Sequence, residues 1–155
     1  MRLRIVALGH RMPSWVSEGV AHYAKRLPRE LGFEIVELKP TPRDRGRSVA
    51  QMLADEARRV LSACDGSRIV ALDERGSAFT TQALAAALTR WRNEAADLAF
   101  VIGSADGLDS SVKQRADTLL AVSAMTLPHA LVRVMLVEQL YRAASLNAGH
   151  PYHRE

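Results

Sequence analysis

Residues 124–155 read AMTLPHALVRVMLVEQLYRAASLNAGHPYHRE and carry the strongest fold signal in the chain. Pro128 begins a long apolar segment and Gly149 ends it, and these are the start and stop signals expected of one helix. The chain then ends on an aromatic and charged tail, residues 152–155. Terminal residues usually carry no structure or function. A tail so rich in groups that stack and form hydrogen bonds indicates a binding partner, and beyond the helix stop it is expected to add little to a core.

The helix over residues 131–146 is apolar on most of its circumference. Its charged residues are Arg133, Glu138 and Arg142, and at 100° per residue they do not gather into one solvent-facing stripe. Such a helix is buried on more than one side, either in the chain's own core or partly against a second copy. We expect the second arrangement, a homodimer, because symmetric dimers are the commonest way to cover such a face.

Composition indicates one ordinary globular domain over residues 1–155. Hydrophobic residues make up 48% and charged residues 25%, and no apolar run approaches the roughly 20 residues that span a bilayer. The first residues are too few and too polar for a signal peptide and read as a strand. Cys64 is the single cysteine, so an internal disulfide is excluded and a reducing compartment is favoured. We therefore expect a cytoplasmic protein with Cys64 in its core.

The net charge of +4 is unevenly distributed. Lys39, Arg43, Arg45 and Arg47 crowd one loop that prolines and a glycine interrupt. Basic loops attract polyanions by neutralising phosphates. A nucleic-acid contact and a solvated loop without a partner both remain open on this feature alone.

Hydrophobic periodicity alternates between the strand and helix patterns. It predicts strands at residues 2–9, 33–38, 68–73, 98–102 and 119–123. It predicts helices at residues 13–27, from Ser48 (with a capping box to Gln51), from Thr80 or Thr81, from Asp109 to about Ala116, and at 131–146. Residues 74–77 read as a turn. This alternation predicts an α/β fold, a mostly parallel sheet with helices on both faces.

Ligands of such folds bind at the loops that follow the carboxyl ends of strands. Residues 72–76, 103–107 and 123–128 are loops of this kind. The glycines of the second loop allow close approach of a ligand, although an ordinary strand-to-helix turn would use them equally well. No phosphate loop or dinucleotide fingerprint is present, and with one cysteine and no His/carboxylate cluster we expect no metal. Asp73, Asp106 and Glu138 are candidates for acid–base catalysis, and nothing in the sequence around them indicates a perturbed carboxylate.

Eight short motifs together point to a known family. They are VALG at 6–9, MPSWV at 12–16, IG at 102–103, GL at 107–108, LPH at 127–129, LVRV at 131–134, EQLYRA at 138–143 and PYHR at 151–154. In this order and spacing, essentially the whole chain resembles the ribosomal RNA large subunit methyltransferase H family. Its members are small SPOUT-class RNA methyltransferases that use S-adenosylmethionine.

The resemblance implies a homodimer that methylates N3 of a pseudouridine in the helix 69 loop of 23S rRNA, on the assembled 70S ribosome or the 50S subunit. It also implies that the carboxyl-terminal part is threaded into a deep trefoil knot. Pattern reasoning alone favours an unknotted sheet, because knots are nearly absent among folds.

The resemblance also assigns cofactor-binding residues. S-adenosylmethionine would be bound by Leu72, Gly103, Val122, Ser123, Ala124, Met125, Thr126 and Leu127. These belong to the strand-end loops, and their apolar side chains suit an adenine. Ser104 and Ala105 depart from the Gly-Pro or Gly-Ser that is common after this glycine in the family, which leaves the loop's backbone conformation less defined.

On the substrate side the resemblance points to Arg142, Tyr152, His153 and Arg154. N3 of pseudouridine is a weakly acidic imide, so a nearby cation or base would ease loss of its proton. Arg142 follows Glu138 by one helical turn, and an ion pair between them could hold the guanidinium. His153 as a base and His153 as a phosphate contact both remain open.

Two other functions compete with this interpretation. A non-catalytic RNA-binding module would have no reason to retain S-adenosylmethionine. A related knotted methyltransferase acting on tRNA, at a ribose hydroxyl for example, is the second, and the absence of an appended RNA-binding domain argues against free tRNA as the substrate.

Overall fold

The computed structural model describes residues 1–43, 46–94 and 96–154, with the backbone alone at residues 153 and 154. Its strands form one parallel sheet in the order β2-β1-β4-β3-β5. The strands are β1 (Leu3–Leu8), β2 (Glu34–Leu38), β3 (Ser67–Ala78), β4 (Asp97–Ile102) and β5 (Thr118–Ala121). The helices are α1 (Ser14–Ala24), α2 (Val49–Ala63), α3 (Thr81–Asn93), α4 (Ser110–Arg115) and α5 (His129–Asn147), with 3-10 turns at Arg29–Leu31 and Pro151–Arg154.

Helices cover both faces of this sheet, as the alternation of patterns predicts. On one face α1, α3 and α5 pack around Phe100 and Trp91, whose rings meet edge to face at 6.4 Å. On the other face α2 and α4 cover a smaller core that contains Cys64. Cys64 is 1% exposed and is a core residue as expected. Burial raises the pKa of its thiol to about 11, which disfavours the reactive thiolate.

Local capping signals set the starts of three helices. The Ser48 hydroxyl accepts from the Gln51 amide while the Gln51 side chain accepts from the Ser48 amide, so the predicted capping box is confirmed. Thr80 caps α3 and Asp109 caps α4, each through a side-chain oxygen that accepts a backbone N–H of the first turn.

The turn expected over residues 74–77 is wrong, because β3 runs on to Ala78. Leu72 and Ser77 both pair with Leu120 of β5, so the intervening residues form a bulge within one strand. Gly76 permits this close approach: a Cβ built there would lie 2.6 Å from the carbonyl carbon of Leu119. Pairing with β5 therefore outweighs the turn preference of the local sequence.

Neighbouring elements of the same chain cover several sides of α5. It packs on the sheet with α1 on one side and α3 on the other. Val137 and Leu140 are fully buried, and Val134 packs against Gly19 of α1. Leu131, Val132 and Met135 of the same helix are only half-buried within the chain. The single chain therefore shows burial of α5 on several sides without testing a second copy, and the homodimer stays a prediction, as does the knot.

One charged residue is buried along α5. Arg133 donates from Nη1 to Glu37 of β2 at 2.7 Å and from Nη2 to the Gly9 carbonyl at 3.3 Å. These two hydrogen bonds connect the amino-terminal half of α5 to the ends of β1 and β2. Across the described ranges, no helix is long and apolar enough to cross a bilayer.

Candidate functional site

The three predicted strand-end loops line one cavity of about 830 Å³ at the carboxyl edge of the sheet. Its walls come from residues 72–75 of the β3 bulge, 102–108 after β4, and 120–132 around the β5–α5 connection. Cavities of this size hold nucleoside-sized ligands. Of the residues assigned to the cofactor, those that line the cavity are Leu72, Gly103, Val122, Ser123, Met125, Thr126 and Leu127. Ala124 is exposed and is not part of the lining.

Hydrogen bonds hold the loop after β5 in place. The Ser123 hydroxyl accepts from the Met125 amide at 2.9 Å. The Thr126 hydroxyl donates to Glu74 of the β3 bulge at 2.9 Å, which joins two of the three loops. Met125 is 76% exposed although it lines the cavity. An exposed apolar side chain at the rim is available to cover a bound ligand.

The Gly103–Gly107 segment, here called the glycine loop, is tightly folded. A Cβ built on Gly103 would lie 2.7 Å from the Gly107 carbonyl oxygen, and the Gly107 amide donates to the Ser104 carbonyl at 2.9 Å. Any side chain at position 103 would therefore displace the loop itself. The glycine serves the turn, and the turn forms a wall of the cavity.

Charged residues also line the cavity. Lys113 of α4 donates to Asp73 at 2.7 Å. Burial alone would raise the pKa of Asp73, but the hydrogen bonds from Lys113 and from the Arg75 amide outweigh it and lower this pKa. Asp73 is therefore an ionised, paired carboxylate at neutral pH. Glu74 and Asp106 add two further carboxylates to the lining.

Sequence reasoning missed Lys113 and His129 as cavity residues. Lys113 lies inside a helix and not in a strand-end loop, so only the short spacing from the glycine loop could have indicated it. His129 is half-buried in the lining, and its pKa is lowered by burial and by the neighbouring Arg133. Its place in the LPH motif was the available signal.

A second cluster lies where α5 meets the tail. The Glu138 carboxylate accepts from Arg142 Nε at 2.9 Å and from the Tyr152 hydroxyl at 3.1 Å. The Arg142 guanidinium lies 4.8 Å from the centre of the Tyr152 ring, which packs against Tyr141 at 4.5 Å. The predicted Glu138–Arg142 pair is confirmed, and the tail is more closely packed than expected.

The tail residues differ in what the structure describes. Burial, the Glu138 carboxylate and Tyr23 raise the pKa of Tyr152 to about 12. Its hydroxyl is protonated at neutral pH, which favours a role as donor and stacking surface over one as base. The side chains of His153 and Arg154 lie outside the described part of the chain.

The substrate-side candidates with described side chains are Arg142 and Tyr152, and they lie apart from the cofactor candidates. Neither Arg142 nor Tyr152 lines the cavity that contains the cofactor candidates. Among the residues that the structure describes, no three His, Cys, Asp or Glu side chains are grouped so as to hold a metal ion.

Residues 1–153 match the family described as "Predicted SPOUT methyltransferase". The chain belongs to the SPOUT methyltransferase family. Two relatives named "Ribosomal RNA large subunit methyltransferase H", from Ralstonia pickettii and Burkholderia multivorans, are each 54% identical to it over 155 residues. A relative of the same name from Nitrosospira multiformis is 51% identical. Each alignment covers 99% of this SPOUT family member and 99% of the relative.

Solved structures resemble the fold of this SPOUT family member. A probable methylase family protein from Haemophilus influenzae superposes with a TM-score of 0.63 at 12% identity, covering 97% of this chain and 69% of that one. The tRNA (m1G37) methyltransferase from Aquifex aeolicus gives 0.57 at 13% identity, covering 92% and 70%. A probable methyltransferase from Bordetella pertussis gives 0.56 at 22% identity, covering 92% and 94%. At these identities the likeness concerns the fold alone.

Proposed function

We propose that the protein is an S-adenosylmethionine-dependent methyltransferase of 23S rRNA that methylates N3 of a pseudouridine in the helix 69 loop. One observation carries the proposal. In a chain 54% identical over its length to relatives named as large-subunit rRNA methyltransferases, three separate loops meet around one cavity of nucleoside size. The motif resemblance supplies the finer parts of the proposal. These are the methylated position on the base, the location in helix 69, the 50S subunit or 70S ribosome as the substrate, and the trefoil knot. A ribosomal substrate would locate the enzyme in the cytoplasm.

The cavity lining fits the proposed cofactor. Leu72 and Leu127 supply apolar surface suited to an adenine, and the backbone of Val122–Leu127 offers donors and acceptors. Asp73 and Asp106 are ion-paired with Lys113 and Arg43, whereas Glu74 accepts from the neutral Thr126 hydroxyl. Glu74 is therefore the lining carboxylate best suited to a ligand with sulfonium and ammonium charges. When bound, S-adenosylmethionine supplies an electrophilic methyl group, and its transfer needs no metal and no protein nucleophile.

The acceptor side is formed by the tail cluster in this proposal. Glu138 orients the Arg142 guanidinium, which would favour the N3 anion electrostatically as the proton leaves. Tyr152 would stack on or donate to the base, and His153 and Arg154 remain candidates for base and phosphate contact. Because Arg142 and Tyr152 do not line the cavity of their own chain, we place them at the cavity of a second copy in a homodimer. Trp15 of α1, the helix that packs on α5, is 54% exposed and would offer apolar surface to that contact.

The experiment is methyl transfer from labelled S-adenosylmethionine to purified 50S subunits and 70S ribosomes, with and without the helix 69 pseudouridine. Nuclease digestion and mass spectrometry would then locate the label. The proposal predicts N3-methylpseudouridine in that loop and no transfer to ribosomes that lack pseudouridine. Transfer to bulk tRNA, or ribosome binding without any affinity for S-adenosylmethionine, would overturn it in favour of the tRNA enzyme or the RNA-binding module.

A further inference from the structure

The buried carboxylate of Glu56 begins a chain of contacts that ends at the proposed cofactor pocket. Glu56 lies on α2 and its side chain is 1% exposed. Its Oε1 accepts from the Thr41 amide at 3.1 Å and lies 3.6 Å from Arg43 Nη1. A buried carboxylate is costly unless it is paired and hydrogen-bonded. The Glu56 carboxylate therefore favours the position of the Arg43 guanidinium next to it.

Arg43 connects that carboxylate to the glycine loop. Its Nη2 lies 2.5 Å from Asp106 and donates to the Ser104 hydroxyl at 3.4 Å. One planar guanidinium thus contacts α2 with one nitrogen and the glycine loop with the other. Lysine has no such fork and could not span both.

The segment that carries Arg43 is itself fixed to α2. The Thr41 hydroxyl donates to Asp55 at 2.7 Å and accepts from Arg59 at 2.9 Å. Arg59 also donates to the Lys39 carbonyl. The backbone that carries Arg43 is therefore held against α2. This segment differs from a solvated basic loop, whose side chains would be available to contact phosphate.

We propose that Arg43 is a positioning residue for the cofactor pocket, fixing the glycine loop through Asp106 and Ser104. The loop's tight fold around Gly103 lines the cavity, and a small displacement of a binding wall is costly for affinity. Ser104 is one of the two departures from the family's usual sequence, and its hydroxyl accepts the hydrogen bond from Arg43. This inference rests on the proposed function, since it takes S-adenosylmethionine as the ligand of the cavity.

The test compares Arg43→Ala, Arg43→Lys and the control Arg47→Ala, which removes an exposed charge from the same basic loop. Calorimetry with S-adenosylhomocysteine should show affinity about tenfold weaker for Arg43→Ala and an intermediate loss for Arg43→Lys. Arg47→Ala should match the wild type. Hydrogen exchange in the free protein should be faster at residues 104–107 in Arg43→Ala, faster by an intermediate amount in Arg43→Lys, and unchanged in Arg47→Ala.

A double-mutant cycle keeps the test decisive if Arg43→Ala is poorly stable, since removal of Arg43 leaves Glu56 without its cation. In the Asp106→Ala background, Arg43→Lys should weaken S-adenosylhomocysteine binding by less than about twofold, because the shorter of the two contacts between Arg43 and the loop is already lost. Unchanged affinity and unchanged exchange in Arg43→Ala, with weaker ribosome binding instead, would overturn the inference and make Arg43 an RNA contact. Failure of the wild type to bind S-adenosylhomocysteine would overturn the proposed function, while the exchange data would still report whether Arg43 holds the loop.

Discussion

Among single residues, Ala105 offers a direct way to block the cavity. It lines the cavity, is exposed, and follows the tightly folded start of the glycine loop. Ala105→Trp should fill the space with little strain and weaken S-adenosylhomocysteine binding by at least about tenfold, or about 1.4 kcal/mol. Gly103→Val is a poorer block, because its side chain would strike the Gly107 backbone before it met a ligand.

The matched control for this block is Ala54→Trp, on the exposed side of α2. It adds the same side chain outside the cavity and should leave binding unchanged. Calorimetry on both variants, with circular dichroism to verify folding, makes the comparison. Equal affinity of Ala105→Trp and wild type would mean that the ligand binds elsewhere.

The lowered pKa of His129 predicts that the folded protein loses stability at acidic pH. Burial and Arg133 lower its pKa below the ordinary value of 6.5, so the unfolded chain takes up the proton more readily than the folded one. The contribution to stability is present above pH 6.5 and is lost as the pH falls below it. Urea unfolding between pH 7.5 and 5 should show a shallower decline for His129→Gln than for the wild type. Identical slopes would contradict the assignment.

How far single residues could be predicted depends on whether their role is local. Ser48 and Cys64 were predictable because capping and the apolar stripe of a helix depend on near neighbours in sequence. Lys113 and Arg43 were not, since their roles depend on loops that meet only after the sheet has assembled. Arg43 appeared as a member of a basic loop, and its partner Glu56 lies on another element.

At the scale of elements, the 3-10 turn at Pro151–Arg154 is part of the packing of α5 and not a free end. Tyr152→Phe keeps the ring against Tyr141 and removes the hydroxyl bond to Glu138, so it should cost about 1 kcal/mol of unfolding free energy. Tyr152→Ala removes both and should cost about 2 to 3 kcal/mol. Urea denaturation measures both values. Two variants as stable as the wild type would restore the expectation that the tail adds little to the core.

Two elements show where sequence patterns reach their limit. Residues 74–77 have turn chemistry, yet their strand continues because β5 lies alongside, and the order of strands in the sheet is not encoded in a local window. The apolar circumference of α5 predicted burial on several sides correctly. It could not distinguish neighbouring helices of the same chain from a second copy, since both present similar apolar surface.

For the whole molecule, the parallel α/β architecture followed from alternating periodicities, and the three loops at one sheet edge followed from the rule for strand ends. Threading is different: a knotted and an unknotted chain share the same local patterns, so only the family resemblance implied the knot. The assignment of the cofactor residues likewise came from the resemblance, and seven of the eight line the cavity.

The claim that a homodimer shares its sites is tested most directly by mixing two inactive variants. A chain truncated after residue 151 keeps the cavity and lacks the tail, whereas Ala105→Trp keeps the tail and lacks the cavity. With S-adenosylmethionine held below the concentration that saturates the wild type, each alone should transfer little methyl to ribosomes that carry the pseudouridine. After subunit exchange verified by native mass spectrometry, about half the dimers are mixed and each has one whole site, so activity should return to about a quarter of wild type. A wild-type chain that is monomeric in light scattering, or an exchanged mixture as inactive as its parents, would contradict the account.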